Sequence, residues 1–227
     1  AWTTHPFEKL LNGSGRTSYL SQSSNKGTLI MTRSMMALSA FAMTLLAALS
    51  FSAPAAQAQE DDPSGIVEMT MGNPEAPVTV IEYASYTCPH CARFHESGFK
   101  DLKRDYIDTG KIHFIYREVY FDRFGLWASI VARCGEGSEN RFFGISEMLY
   151  EQQDDWARQE DPAAIVDRLR RIGKTAGLTD AELDQCLTDA DNAQALYARW
   201  QAFAEEDGVE STPSFIIDGR KYSNMPY

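Results

Sequence analysis

The hydrophobic pattern changes period several times along the chain, and each change marks an element. Residues 78–83, Val-Thr-Val-Ile-Glu-Tyr, are β-branched and almost continuously apolar, which predicts a central strand covered on both faces. An acid inside such a strand, Glu82, is then expected to be buried. From Pro89 the period becomes helical: His95, Phe99, Leu102 and Tyr106 recur at spacings of four, three and four, one face of a helix ending near Gly110. Residues 113–116 predict a second strand. Strand, helix and strand make a βαβ unit, with parallel strands and a right-handed crossover. Upstream, residues 59–77 read as a polar, turn-rich lead-in with one short edge strand at 66–69.

Residues 124–208 are helical almost throughout. Trp127, Ile130, Val131 and Cys134 share one helical face, and Phe142, Ile145 and Leu149 share another. Asp161-Pro162 places a capping residue before a proline at the first helical position, ahead of Ile165, Leu169 and Ile172. Thr179 with Glu182 forms a capping box, and a last helix carries Leu196, Trp200 and Phe203. Residues 214–218 then predict a strand, Gly219 a turn and 221–222 the return strand. The fold class is therefore α/β, with a helical domain (124–208) inserted between a βαβ half (78–123) and a β-hairpin half (209–227).

Ahead of this domain, residues 31–58 read as a secretory signal peptide. Arg33 supplies the positive start, residues 35–51 carry no charge, and Ala56-Gln57-Ala58 is a small-residue cleavage site. The apolar stretch lies near the lower length limit for a membrane anchor; its Ser, Thr, Ala and Pro content and the cleavage site favour removal after Ala58. Residues 1–30 are polar, do not begin with Met, and read as an upstream extension outside the functional protein. Residues 59–227 hold 17 Lys and Arg against 31 Asp and Glu, a net charge of −14. That field argues against nucleic acid or an anionic membrane as a partner, and no stable membrane insertion is expected.

All four cysteines lie in the exported part, where disulfides persist. Four cysteines allow three connectivities, but the two-residue gap singles out Cys88 with Cys91 and leaves Cys134 with Cys186. Cys88-Pro89-His90-Cys91 follows a strand pattern and opens a helix pattern, the setting of a redox pair. With Cys88 at the N-cap, Pro89 falls where its missing N–H costs nothing, and the following N–H groups point toward the sulfur. The helix dipole and His90 add positive character there, which favours a Cys88 thiolate. Cys91, one turn in, is the less exposed, resolving thiol. A structural disulfide over so short a loop removes little unfolded-state entropy. Zinc would need two more ligands at a paired spacing, and a c-type haem would need His where Ala92 stands. No metal and no cofactor is called for.

On Glu82, Cys88-Pro89-His90-Cys91, the helical insertion and Thr212-Pro213, the exported part resembles the DsbA-like thiol:disulfide oxidoreductases of the thioredoxin superfamily, over residues 78–222. The resemblance implies donation of the Cys88–Cys91 disulfide to reduced, unfolded exported proteins in the periplasm. It also implies reoxidation by a membrane, quinone-linked, DsbB-like partner. Pro213 is then a cis-proline against the redox pair, though an ordinary strand-start proline has the same sequence. Glu82 matches the family's buried acid, either a proton relay for Cys91 or a carboxylate merely hydrogen-bonded in the sheet. Thr212 stands where the best-known members have Val; a hydroxyl there bears on the redox poise and is also seen in related isomerases. Cys134 and Cys186 are read as a structural disulfide within the insertion rather than a second redox pair. The family fold adds a helix after the hairpin, whereas the sequence closes at Tyr227, so the second half is read as truncated. Two rivals remain: an isomerase or reductant of the same superfamily, and a non-enzymatic binding domain with two structural disulfides.

Overall fold

The computed structural model describes residues 65–135, 138–225 and 227. The readings of 1–30 as an extension and 31–58 as a signal peptide lie outside the described residues.

A five-stranded sheet is built from β1 (Met69–Gly72), β2 (Val78–Ala84), β3 (Ile112–Glu118), β4 (Ser214–Ile217) and β5 (Arg220–Ser223), in the order β1-β3-β2-β4-β5. β2 and β3 run parallel, as a βαβ unit requires, while β1, β4 and β5 pair antiparallel with their neighbours. β2 is central and covered on both faces: Glu82 points toward the helix that follows it, and Tyr83 toward the opposite side, each fully buried. The edge strand falls three residues later than the pattern predicts. Glu68, inside the expected span, is instead held by Arg117 and Arg199, and pairing with β3 starts at Met69.

The long helix predicted after Pro89 is broken. It becomes α1 (Pro89–Glu96), α2 (Gly98–Leu102) and a π-helical turn (Lys103–Ile107). Ser97 leaves helical geometry at φ −135°, ψ −68°, and its hydroxyl donates to the Arg93 carbonyl, a local bond that bends helices. Gly98 permits the break, because a Cβ there would meet the Phe94 ring at 3.0 Å. His95 stays buried, whereas Tyr106, expected on the same face, is 41% exposed. The wider π-turn, closed by Asp108 N–H to Lys103 C=O, rotates it off that face.

Among the described residues six helices follow β3: α3 (Arg123–Ala132), α4 (Glu139–Glu151), α5 (Gln153–Ala157), α6 (Pro162–Thr175), α7 (Asp180–Thr188) and α8 (Ala190–Glu206). Asp161 caps α6 ahead of Pro162, and Thr179 with Glu182 makes both halves of a capping box on α7. Phe142, Ile145, Leu149, Trp156, Ile165, Leu169 and Leu183 bury their side chains in the same apolar cluster as Phe114 and Tyr116 of β3. Insertion and sheet thus share one core. A bidentate pair between Glu118 of β3 and Arg133 after α3, 2.5 and 2.8 Å, ties them together at a buried position. Among the described residues no helix is long and apolar enough to cross a membrane.

Candidate active site

β2 ends at Ala84, and a turn closed by Cys88 N–H to Ser85 C=O, 3.1 Å, delivers Cys88 to the N-cap of α1 with Pro89 at the first helical position. Cys88 is half-buried and Cys91 fully buried, and both are thiols. Their acidities diverge. Cys88 falls from an ordinary 9.0 to about 5, chiefly because the Cys91 S–H donates to its sulfur. Burial opposes the shift; Thr212 and the backbone N–H groups of Cys91 and His90 reinforce it. Burial pushes the Cys91 thiol well above its usual range, helped by the hydrogen bond to Cys88 and by the charges of Cys88 and Glu82.

His90 acts at the sulfur through its backbone N–H. Its ring lies along the helix surface, with Nδ1 2.7 Å from Arg93 Nη2. A guanidinium only donates, so Nδ1 accepts and carries no proton in this contact.

Across from the pair, the Thr212–Pro213 peptide bond is cis. The Cys88 thiol donates to the Thr212 carbonyl at 3.5 Å. Among the described residues Thr212 Oγ1 is buried without a hydrogen-bond partner in this dithiol form, yet it lies where it favours a thiolate on either cysteine. Behind Cys91, both oxygens of Glu82 face Nε2 of His95, at 3.0 and 3.2 Å. The His95 ring stacks on Phe99 and on Tyr150, with centroids 4.5 and 4.2 Å apart. The Tyr150 hydroxyl in turn meets that of Tyr116 at 2.6 Å.

The insertion grips the same loop. Gln153 of α5, buried, donates its side-chain amide to the carbonyls of Tyr86 and Cys88, 2.7 and 3.0 Å. Asp122, which caps α3 by accepting from the N–H groups of Phe124 and Gly125, also accepts from the Thr87 hydroxyl at 2.7 Å. One side chain of the insertion, Gln153, and one from the segment that leads into it, Asp122, therefore hold the residues on either side of the Thr87–Cys88 bond. Cys134 and Cys186 lie apart from this site. They are bonded to each other, with Cα atoms 5.8 Å apart, and link the end of α3 to α7.

The structure thus brings Cys88, Cys91, Thr212 and Pro213 together, with Cys88 half-buried and the others buried, sets Glu82 behind Cys91, and turns the His90 ring away. His95, Gln153 and Asp122 are additions that sequence reasoning did not place in the site. For His95 a signal existed, since it follows Cys91 by four residues and shares its helical face. For Gln153 none did, because its role depends on how α5 packs against a loop 65 residues earlier. Among the described residues no group of three or more His, Cys, Asp or Glu side chains is gathered as metal ligands. Chemically, the arrangement offers a stabilised thiolate at the surface and a protonated thiol beneath it.

A protein-family model described as Thioredoxin matches residues 65–227. A Rickettsia bellii protein named "Putative protein-disulfide oxidoreductase" is 36% identical over 157 residues, covering 69% of this chain and 59% of its own length. The chain therefore spans little more than half the length of the curated relatives it matches. Among solved structures, Wolbachia pipientis alpha-DsbA1 is similar with a TM-score of 0.64 and 28% identity, over 69% of this chain and 83% of that one. A protein-disulfide isomerase from Novosphingobium aromaticivorans is similar with a TM-score of 0.63 and 25% identity, over 70% and 90%.

Proposed function

The chain belongs to the thioredoxin family, and from that premise we propose that it is a DsbA-like thiol:disulfide oxidoreductase that donates a Cys88–Cys91 disulfide to reduced, unfolded exported proteins. The observation that carries this reading is the division between the two thiols: Cys88 accessible with a pKa of about 5, Cys91 buried and held protonated. A low Cys88 pKa stabilises the reduced form, so the disulfide is an oxidant.

In the forward direction a client thiolate attacks Cys88 Sγ and the Cys88–Cys91 bond breaks. Its electron pair goes to Cys91, which takes up a proton from the side of Glu82. A second client thiolate then attacks the client sulfur of the mixed disulfide and expels Cys88 as a stabilised thiolate. Client thiols have been oxidised to a disulfide and the enzyme reduced to the dithiol. Reoxidation runs the enzyme half in reverse: Cys88 attacks a disulfide on a membrane, quinone-linked, DsbB-like partner, and Cys91 resolves the mixed disulfide. The periplasm is the place for this, reached through a signal peptide cleaved after Ala58. The Cys134–Cys186 bond serves as a staple of the insertion.

Measuring the Cys88–Cys91 reduction potential, together with oxidation of a reduced, unfolded client against reshuffling of a scrambled one, tests the proposal. A potential well above that of glutathione with net oxidation supports it. Efficient reshuffling with little oxidation favours an isomerase, a reading to which the buried Thr212 hydroxyl beside the sulfurs lends some support. A disulfide that glutathione leaves intact would favour a binding domain instead.

A further inference from the structure

Glu82 is fully buried, and among the described residues the side chain that hydrogen-bonds it is His95. A buried carboxyl that exchanges a proton with Cys91 must itself be recharged from solvent before the next cycle. The face of the molecule that holds Cys88 is a poor source, because the client covers it during the mixed-disulfide stage. His95 offers another route. It lies one turn beyond Cys91 on the buried face of α1, and it also lines a cavity of about 850 Å³ between β1, the α1–α2 stretch and α4. Its side chain keeps 8% exposure, against none for Glu82.

Resting on the thiol-exchange reading above, we propose that His95 is a proton conduit that links Glu82 to solvent in this cavity, so that Cys91 is protonated and deprotonated through the back of the active-site helix. The balance is simple. When Cys91 leaves as a thiolate, a proton passes from Glu82 to Cys91, from His95 Nε2 to Glu82, and from water to the ring's other nitrogen. When Cys91 attacks a mixed disulfide, the same transfers run outward. No electron moves through His95.

The surroundings suit the task. The groups facing His95 from other elements are Glu82 of β2, Tyr116 of β3 and Tyr150 of α4. Burial pushes both phenols far above their usual range, so neither competes for the proton. Stacking on Phe99 and Tyr150 holds the ring in place, with Nε2 directed at both oxygens of the carboxylate. In the cavity lining Lys100 pairs with Glu151 and Lys103 with Asp108, which leaves Glu96, Glu139 and Glu147 as an acidic excess. Such a lining draws protons inward.

The test mixes the reduced full-length protein with an aromatic disulfide whose released thiolate is coloured. The first equivalent reports attack by Cys88, the second attack by Cys91 on the mixed disulfide. His95→Gln keeps an N–H donor for Glu82 but cannot pass a proton on. We expect its first phase unchanged within about two-fold and its second slowed roughly 10²-fold, the range of a lost acid–base group. His95→Ala opens an imidazole-sized space on the cavity wall. Added imidazole should restore its second phase, and a series of substituted imidazoles should restore it in proportion to their basicity. The first phase also reports that each variant is folded. A His95→Gln second phase at the parent rate, no rescue in His95→Ala, or rescue equal for all imidazoles would overturn the proposal and leave His95 a packing residue. Absence of a second phase in the parent protein would instead remove the thiol-exchange reading itself.

Discussion

At the scale of single residues, the chemistry rests on a contrast between two sulfurs three positions apart. Cys88 sits at the N-cap of α1, where the Cys91 thiol and the N–H groups of the helix start lower its pKa; burial and negative neighbours raise that of Cys91. Alkylation of reduced protein should therefore rise with pH to a plateau with its midpoint near pH 5, and a Cys88→Ser variant should not show that step. The same shift has a stability consequence. Because Cys88 ionises more readily folded than unfolded, its thiolate stabilises the reduced fold fully above the ordinary cysteine pKa. That contribution shrinks as pH falls and is gone below about 5. Comparing thermal midpoints of reduced and oxidised protein across pH measures it. Thr212→Val removes a buried hydroxyl that favours the thiolate; the alkylation midpoint should move up by about one unit, the size of one hydrogen bond to a charged group.

At the scale of elements, the active-site helix is held by parts of the chain far from it. Gln153 donates to two carbonyls, those of Tyr86 and Cys88, and the latter also accepts the Ala92 N–H of α1. Gln153→Leu should leave the Tyr86 carbonyl without that donor and cost about 1–3 kcal/mol in denaturant unfolding. The Cys134–Cys186 bond spans 52 residues of sequence, a loop for which chain entropy assigns about 4 kcal/mol. Replacing both cysteines by Ala should lower the unfolding free energy by roughly that amount while leaving the alkylation midpoint of Cys88 in place. A variant that unfolds at the parent denaturant concentration would contradict the staple. Helix starts were readable because a cap is a matter of a few adjacent residues: Asp161-Pro162 and Thr179 with Glu182 lie where their side chains meet their own first turns. The break after α1 was not, since the run from His95 to Tyr106 keeps a helical period while Ser97 and Gly98 interrupt the backbone beneath it.

At the scale of the whole molecule, sheet and insertion act as one body because they share a core and a buried ion pair. Arg133 reaches Glu118 with two nitrogens and the Val67 carbonyl with a third contact. Arg133→Met strands a carboxylate that is 6% exposed, and should cost about 3–5 kcal/mol. The double variant with Glu118→Leu should recover much of that loss, since an unpaired buried charge is what destabilises. Equilibrium denaturation of the two variants checks both numbers, and a single variant at parent stability would show the pair to be dispensable.

What the sequence determined by itself is what short-range stereochemistry controls. The strand period of β2, the proline after Cys88 that starts α1, the capped helices of the insertion and the closing hairpin all follow from residues within one turn or one strand of each other. So does the placing of two cysteines one helical turn apart at the start of α1. Only the tertiary structure decided which nitrogen meets Glu82, which insertion side chain holds the Cys88 carbonyl, and that the His90 ring turns to Arg93. Contacts of that kind depend on the register and crossing of elements tens of residues apart. Hydrophobic periodicity says which face of a helix is buried, and leaves open what polar group will be buried with it.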